Sequence, residues 1–173
     1  MPMVDGTSFS HMSSNRGKKS LVLDLKDPEA IAILEKMVAD ADILVESYRP
    51  GVMDRLGLGY ETLKELNPRL IYCSISAYGQ VGPYAKRPGY DVIAQAVSGI
   101  MYMTGDPDGS PTKIGTALGD WVGGLTAFGM IGTAMYYRSV TGKGQHIDIS
   151  LARLLMWMSA RFDFTYTGKQ DFR

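Results

Sequence analysis

The chain has 173 residues, of which 18 are Lys or Arg, 18 are Asp or Glu, one is cysteine and two are histidine. Balanced charge gives no field of one sign to recruit nucleic acid or anionic lipid, and the length suffices for one domain with its own core. A lone Cys73 excludes an internal disulfide and no Cys/His cluster has zinc spacing, so a reducing compartment, the cytoplasm, and a site without metal are expected.

The residues from Met1 to Asn15 are polar and hold no apolar run of the kind a secretory signal needs. Lys18 to Leu25 (KKSLVLDL) reads as a first strand. Asp27 and Pro28 have the N-cap and first-turn character of a helix over Pro28 to Ala41, with Ile31, Leu34, Met37, Val38 and Ala41 on one face. Ile43, Leu44 and Val45 then suit a buried strand. Strand, helix and strand in this order form a βαβ unit with a parallel pair and a right-handed crossover.

Gly51 to Leu56 and Tyr60 to Leu66 read as short helices, and Leu70 to Ile75 as the next strand. Ser76 to Gly89 is loop, punctuated by Gly79, Gly82, Pro83 and Pro88. Asp91 to Met103 is helical and broken by Gly99; Asp91 is expected to cap that helix. Thr104 to Thr112 is a turn cluster. After the long helix that follows, Thr141-Gly142-Lys143-Gly144 turns the chain into a strand at His146 to Ile149. Ser150 caps a last helix over Leu151 to Tyr166. His146 and Cys73 fall in strand patterns and are read as structural. This order is α/β.

The segment from Ala117 to Tyr137 is long enough to span a bilayer. It carries Asp120 and the glycines at 119, 123, 124, 129 and 132, with no basic flank to orient it, so a helix packed in protein is expected. Asp120 is its one charge. A carboxylate there loses hydration, which raises both its pKa and its reactivity as an oxygen nucleophile. The same position suits an N-cap, and a capping carboxylate keeps one oxygen free for chemistry. The neighbouring glycines let backbone amides approach an oxyanion.

Six local signatures follow one another in the chain. They are Ser14-Asn15-Arg16-Gly17-Lys18-Lys19-Ser20, Ala41-Asp42-Ile43-Leu44-Val45-Glu46-Ser47-Tyr48-Arg49-Pro50-Gly51, Asn67-Pro68-Arg69-Leu70-Ile71-Tyr72, Arg87-Pro88-Gly89-Tyr90-Asp91, Ala117-Leu118-Gly119-Asp120 and Thr141-Gly142-Lys143-Gly144-Gln145. Together they resemble the family III CoA-transferases (the CaiB/BaiF group, with formyl-CoA transferase and carnitine CoA-transferase) from about Met3 to Arg173. The order of six motifs makes the match specific where each alone is weak.

The resemblance implies a Rossmann-like parallel sheet with flanking helices. It implies that residues 1–173 form a single partial large domain, without the family's opening strand, small domain and glycine-rich loop. It implies interlocked homodimers and no membrane or nucleic-acid partner. In activity it implies transfer of CoA from an acyl-CoA thioester to a carboxylic acid through an aspartyl mixed anhydride, with coenzyme A as substrate and no further cofactor. Asp120 matches the catalytic aspartate. Tyr90 matches a position held by histidine in the related α-methylacyl-CoA racemases, which makes racemisation the alternative activity. A phenol is a poor base near neutrality but can orient a substrate oxygen. Ser47, Tyr48 and Arg55 match the CoA contacts: Tyr48 to stack on adenine, Arg55 to pair a phosphate. Arg49, Lys86, Arg87, Lys18 and Lys19 are secondary phosphate candidates. A chain that keeps fold elements without turnover is the third reading.

Overall fold

The computed structural model describes residues 3–4 and 6–166, with the side chains of 4 and 160–166 excepted. Met1, Pro2, Asp5 and the stretch from 167 to the expected domain end at Arg173 lie outside the described residues. A small antiparallel hairpin, β1 (Met3–Val4) with β2 (Thr7–Ser8), leads into α1 (Phe9–Ser14). Ser8 caps α1 by accepting from the His11 amide at 3.1 Å.

Lys18 to Leu25 does not form the expected strand. Its backbone joins no strand ladder among the described residues, and Val22 is 91% exposed. β-branched and apolar composition favours a pleated surface only where a ladder partner and a face to cover are present, and this segment has neither. The first of the expected helices forms, ending two residues before the expected Ala41. α2 (Pro28–Ala39) begins at Asp27, whose Oδ1 accepts from the Glu29 amide at 2.9 Å, and Val38 on its inner face is buried.

Next come β3 (Ile43–Glu46), α3 (Val52–Arg55), α4 (Tyr60–Leu66) and β4 (Ile71–Ser76). α5 (Asp91–Val97) ends two residues before Gly99. α6 (Leu118–Thr141), β5 (Gln145–Ser150) and α7 (Leu151–Tyr166) complete the order. The sheet runs β3-β4-β5, parallel throughout, with Ile43 opposite Ile71 and Tyr72 opposite His146. The right partner of β3 is therefore β4, reached through α3 and α4.

The two sheet faces carry separate cores. Tyr72 and Leu70 pack with Val38, Met53, Leu58 and Leu63 under α2–α4. Cys73, Ile71, Ile147 and Ile149 pack with Ala127 and Ala134 of α6. Cys73 is fully buried, and that burial pushes its thiol up to about 11, an inert group as expected. His146 is structural too: its Nε2 lies 2.9 Å from Ser74 Oγ and its ring stacks on Tyr60 at 5.1 Å. Ser150 caps α7 as anticipated, its Oγ accepting from the Arg153 amide. No helix among the described residues is long and apolar enough to cross a membrane.

Candidate functional site

α6 sets the site because its two faces differ in size. Gly119, Gly123, Ala127 and Ala134 point inward and are buried, while Trp121, Leu125 and Phe128 point outward and are exposed. The inward glycines admit α7. A Cβ on Gly123 would come within 2.6 Å of Leu151 Cδ2, and one on Gly119 within 3.4 Å of Leu155 Cδ1. Their function is this close approach of helices. Of the three glycines expected near an oxyanion, Gly124 is the exposed one and borders open space.

Asp120 is not the N-cap. The cap residue is Ala117, which has no side chain to offer, and Asp120 falls in the first turn. The amide of Gly119 is satisfied instead from another element: Asp91 Oδ1 accepts from it at 2.7 Å, in a buried contact. Asp91 thus caps α6 rather than its own helix α5, whose cap position is Tyr90. Gln95, fully buried one turn along α5, fixes Asp91 by donating from Nε2 to Oδ2 at 2.7 Å. The same amide reaches the Thr116 carbonyl at 3.2 Å, and Gln95 Oε1 accepts from the Ile114 amide at 3.0 Å. The approach to α6 is therefore held by one glutamine.

Relieved of capping, the Asp120 carboxylate points outward, and no described residue donates a hydrogen bond to it. It opens on a cavity of about 600 Å³ lined by Ser10 and Ser14 of α1 and by Ala117, Trp121, Gly124 and Leu125. Its pKa is raised above the ordinary carboxylate value, first by partial desolvation against the helix and then by the charge of Asp91. An unpartnered carboxylate of raised basicity, facing a cavity with apolar walls, can attack an electrophilic carbonyl.

The other expected residues are placed as follows. Tyr90 adjoins Asp91, so its backbone is tied to the start of α6, but its side chain is 67% exposed and is not among those lining the Asp120 cavity. Ser47 and Tyr48 line a narrow crevice of about 40 Å³ with Arg49 and Arg87, between the ends of β3 and β4. Glu46 Oε2 shapes that turn by accepting from the Tyr48 amide at 2.8 Å. Arg55 lies outside this crevice, over Gly51. Arg87 packs its guanidinium 4.1 Å over the Tyr84 ring. Lys18 closes the C-terminus of α1 by donating to the Ser14 carbonyl at 2.8 Å.

Two features of the site were not anticipated. The Asp91–Gln95 clamp left a faint signal in its i,i+4 spacing on one helix. The serines of α1 left none, because nothing local ties residues 10 and 14 to residue 120.

The CoA-transferase family III model matches residues 1–173. The chain is 50% identical over 175 aligned positions to the acetyl-CoA:oxalate CoA-transferase of Acetobacter aceti, covering 99% of the chain and 45% of that protein. It is 44% identical to the succinyl-CoA:glutarate CoA-transferase of Homo sapiens, covering 87% of the chain and 34% of that protein. A solved CaiB/BaiF family protein from Brucella suis superposes with a TM-score of 0.89 at 41% identity, over 96% of the chain and 44% of that structure. The chain thus spans less than half the length of these relatives.

Proposed function

Because the chain belongs to the family III CoA-transferases, we propose that it carries the nucleophile of an enzyme that moves coenzyme A from an acyl-CoA thioester to a carboxylic acid. The observation that carries this reading is the Asp120 carboxylate, without a hydrogen-bond donor among the described residues, of raised pKa, and open to the largest of the cavities described above. An Asp120 oxygen attacks the thioester carbonyl, the C–S bond breaks, and CoA leaves as thiolate, giving an acyl–aspartyl anhydride. The thiolate attacks the aspartyl carbonyl, releasing the donor as its carboxylate and leaving CoA on Asp120. The acceptor carboxylate displaces CoA to form a second anhydride. The thiolate then attacks the acceptor's carbonyl and frees Asp120. Covalent relay divides one difficult displacement into easier ones and consumes no metal or redox equivalent.

Ser47 and Tyr48 are proposed to contact CoA, with Arg55 reaching a phosphate and Tyr90 orienting a substrate oxygen. Relatives named for acetyl-CoA and oxalate, and for succinyl-CoA and glutarate, support small dicarboxylates as acceptors here. A homodimer in the cytoplasm completes the proposal; the bare apolar face of α6 and the reduced, buried Cys73 support it.

The test uses the full chain joined to the length its relatives carry beyond it. Acetyl-CoA or succinyl-CoA is added with hydroxylamine, which should trap the anhydride as a hydroxamate that mass spectrometry places on Asp120. Asp120→Asn should abolish turnover with the fold intact, since the amide is isosteric and a far weaker nucleophile. Full activity in that variant would sink the assignment. Exchange of an α-proton without movement of CoA would favour racemisation.

A further inference from the structure

We propose that Asp91 is a positioning residue for the reaction: its carboxylate, locked by Gln95, holds the first turn of α6 and so fixes where Asp120 points. This rests on the reading of Asp120 as nucleophile. The warrant is geometric. α6 has no cap of its own, since Ala117 offers no side-chain acceptor. The amide immediately before Asp120 donates instead to Asp91 Oδ1 at 2.7 Å, and both Asp91 and Gly119 are buried.

The clamp is built in two layers. Gln95 is fully buried and uses Nε2 twice, on Asp91 Oδ2 and on the Thr116 carbonyl, while its Oε1 takes the Ile114 amide. A Cβ on Gly119 would stand 3.0 Å from Asp91 Oδ1, so glycine at 119 lets the carboxylate reach the amide. Among the described residues, the side-chain polar contacts of the pair thus converge on the backbone that delivers Asp120.

The clamp acts through the main chain, and the Asp91 charge also acts through space. Around Asp120, α1 presents Ser10 and Ser14 and α7 presents Leu151 and Leu155 to the first turns of α6; among the described residues the charge bearing on Asp120 is that of Asp91. A second carboxylate in the same region keeps the nucleophile basic.

Asp91→Asn separates these effects from loss of fold, because volume is conserved. If the asparagine oxygen keeps the Gly119 amide, its NH2 faces the NH2 of Gln95, two donors with no acceptor between them, and the clamp opens. In the full chain joined to its relatives' additional length, with acetyl-CoA or succinyl-CoA and hydroxylamine, Asp91→Asn should slow hydroxamate formation and kcat by on the order of 10²-fold, the cost of a small misplacement of a reacting group. KM for the acyl-CoA should change little. The acid limb of the pH–rate profile should move to lower pH, which a merely structural residue would not produce. Asp91→Glu, which keeps the charged acceptor, should recover most of the rate.

Asp120→Asn is measured beside it. Hydroxamate still formed by Asp120→Asn overturns the nucleophile and the positioning together. Hydroxamate lost in Asp120→Asn but formed at the parental rate and with the parental acid limb in Asp91→Asn overturns the positioning alone.

Discussion

A carboxylate in the first turn of a helix normally gains from the macrodipole, which favours its charged form. Asp120 goes the other way: desolvation and then the Asp91 charge outweigh the dipole and raise its pKa. For activity the sign is simple. The nucleophile must be ionised, so the rate should fall as pH drops through an Asp120 value above the ordinary one, and a pH–rate profile checks this. His146 makes the complementary prediction for stability. Burial lowers its pKa below 6.5. The unfolded chain therefore binds a proton that the folded chain refuses, and the contribution is full above 6.5 and lost as pH falls toward the lowered value. Denaturant unfolding at pH 7.5 and 5.5 should show a loss at the lower pH that His146→Gln reduces; equal slopes in both proteins would refute it. At this scale Asp120 was legible because a charge stands out in an apolar segment. The role of Asp91 was not, because its partner amide is 28 positions away and sequence shows only the nearest helix to cap.

Among the elements, side chains that tie backbone ends matter more than hydrophobic periodicity. Asn67 Nδ2 reaches the Val38 and Ala41 carbonyls, both at 2.9 Å, and so closes α2 from a distance. Arg138, buried near the end of α6, donates to the carbonyls of Asp42 and Arg69 and pairs with Asp42 Oδ1 at 2.8 Å, joining α6 to the starts of β3 and β4. Arg138→Met should cost roughly 1–3 kcal/mol by leaving those acceptors without a donor; chemical denaturation measures it, and a loss near zero would show that water replaces the guanidinium. Gly142, in the left-handed conformation at φ 75°, ends the helix. Gly144 then lies against the main chain, where a Cβ would meet the Leu70 carbonyl oxygen at 2.0 Å. Gly144→Ala must displace β4 or β5 and should lower the melting temperature more than Gly124→Ala, which meets open space. The helices from α2 onward, the strands β3 to β5 and the caps Asp27 and Ser150 were readable from periodicity and punctuation, whereas the caps expected of Asp91 and Asp120 fell elsewhere. The strand at Lys18 to Leu25 was misread because strand propensity says nothing about whether an edge is there to pair with.

On the scale of the molecule, the apolar surface is lopsided. Trp121, Leu125, Phe128, Tyr136 and Val140 are each more than 60% exposed along one side of α6, and Trp157 on α7 is 75% exposed. Contiguous apolar area of this kind marks a surface meant to be covered. The chain alone should self-associate in sedimentation velocity, and addition of the relatives' remaining length should yield a defined oligomer. A stable monomer of the chain alone would count against it. The arrangement of α6 also predicts how the protein responds to mutation. Its inner face, made of glycine and alanine against α7 and the sheet, tolerates loss of nothing and gain of very little. Its outer face, made of large rings and aliphatics, has no tight neighbours within the described residues. A substitution scan of α6 should therefore give two different maps. In the chain alone, enlargement on the inner side or loss of the buried Arg138 should destabilise it, while polar substitution on the outer side should be tolerated. In the longer assembled protein, polar substitution on the outer side should become damaging as well, and the positions that change class between the two scans would trace the footprint of whatever lies against the helix.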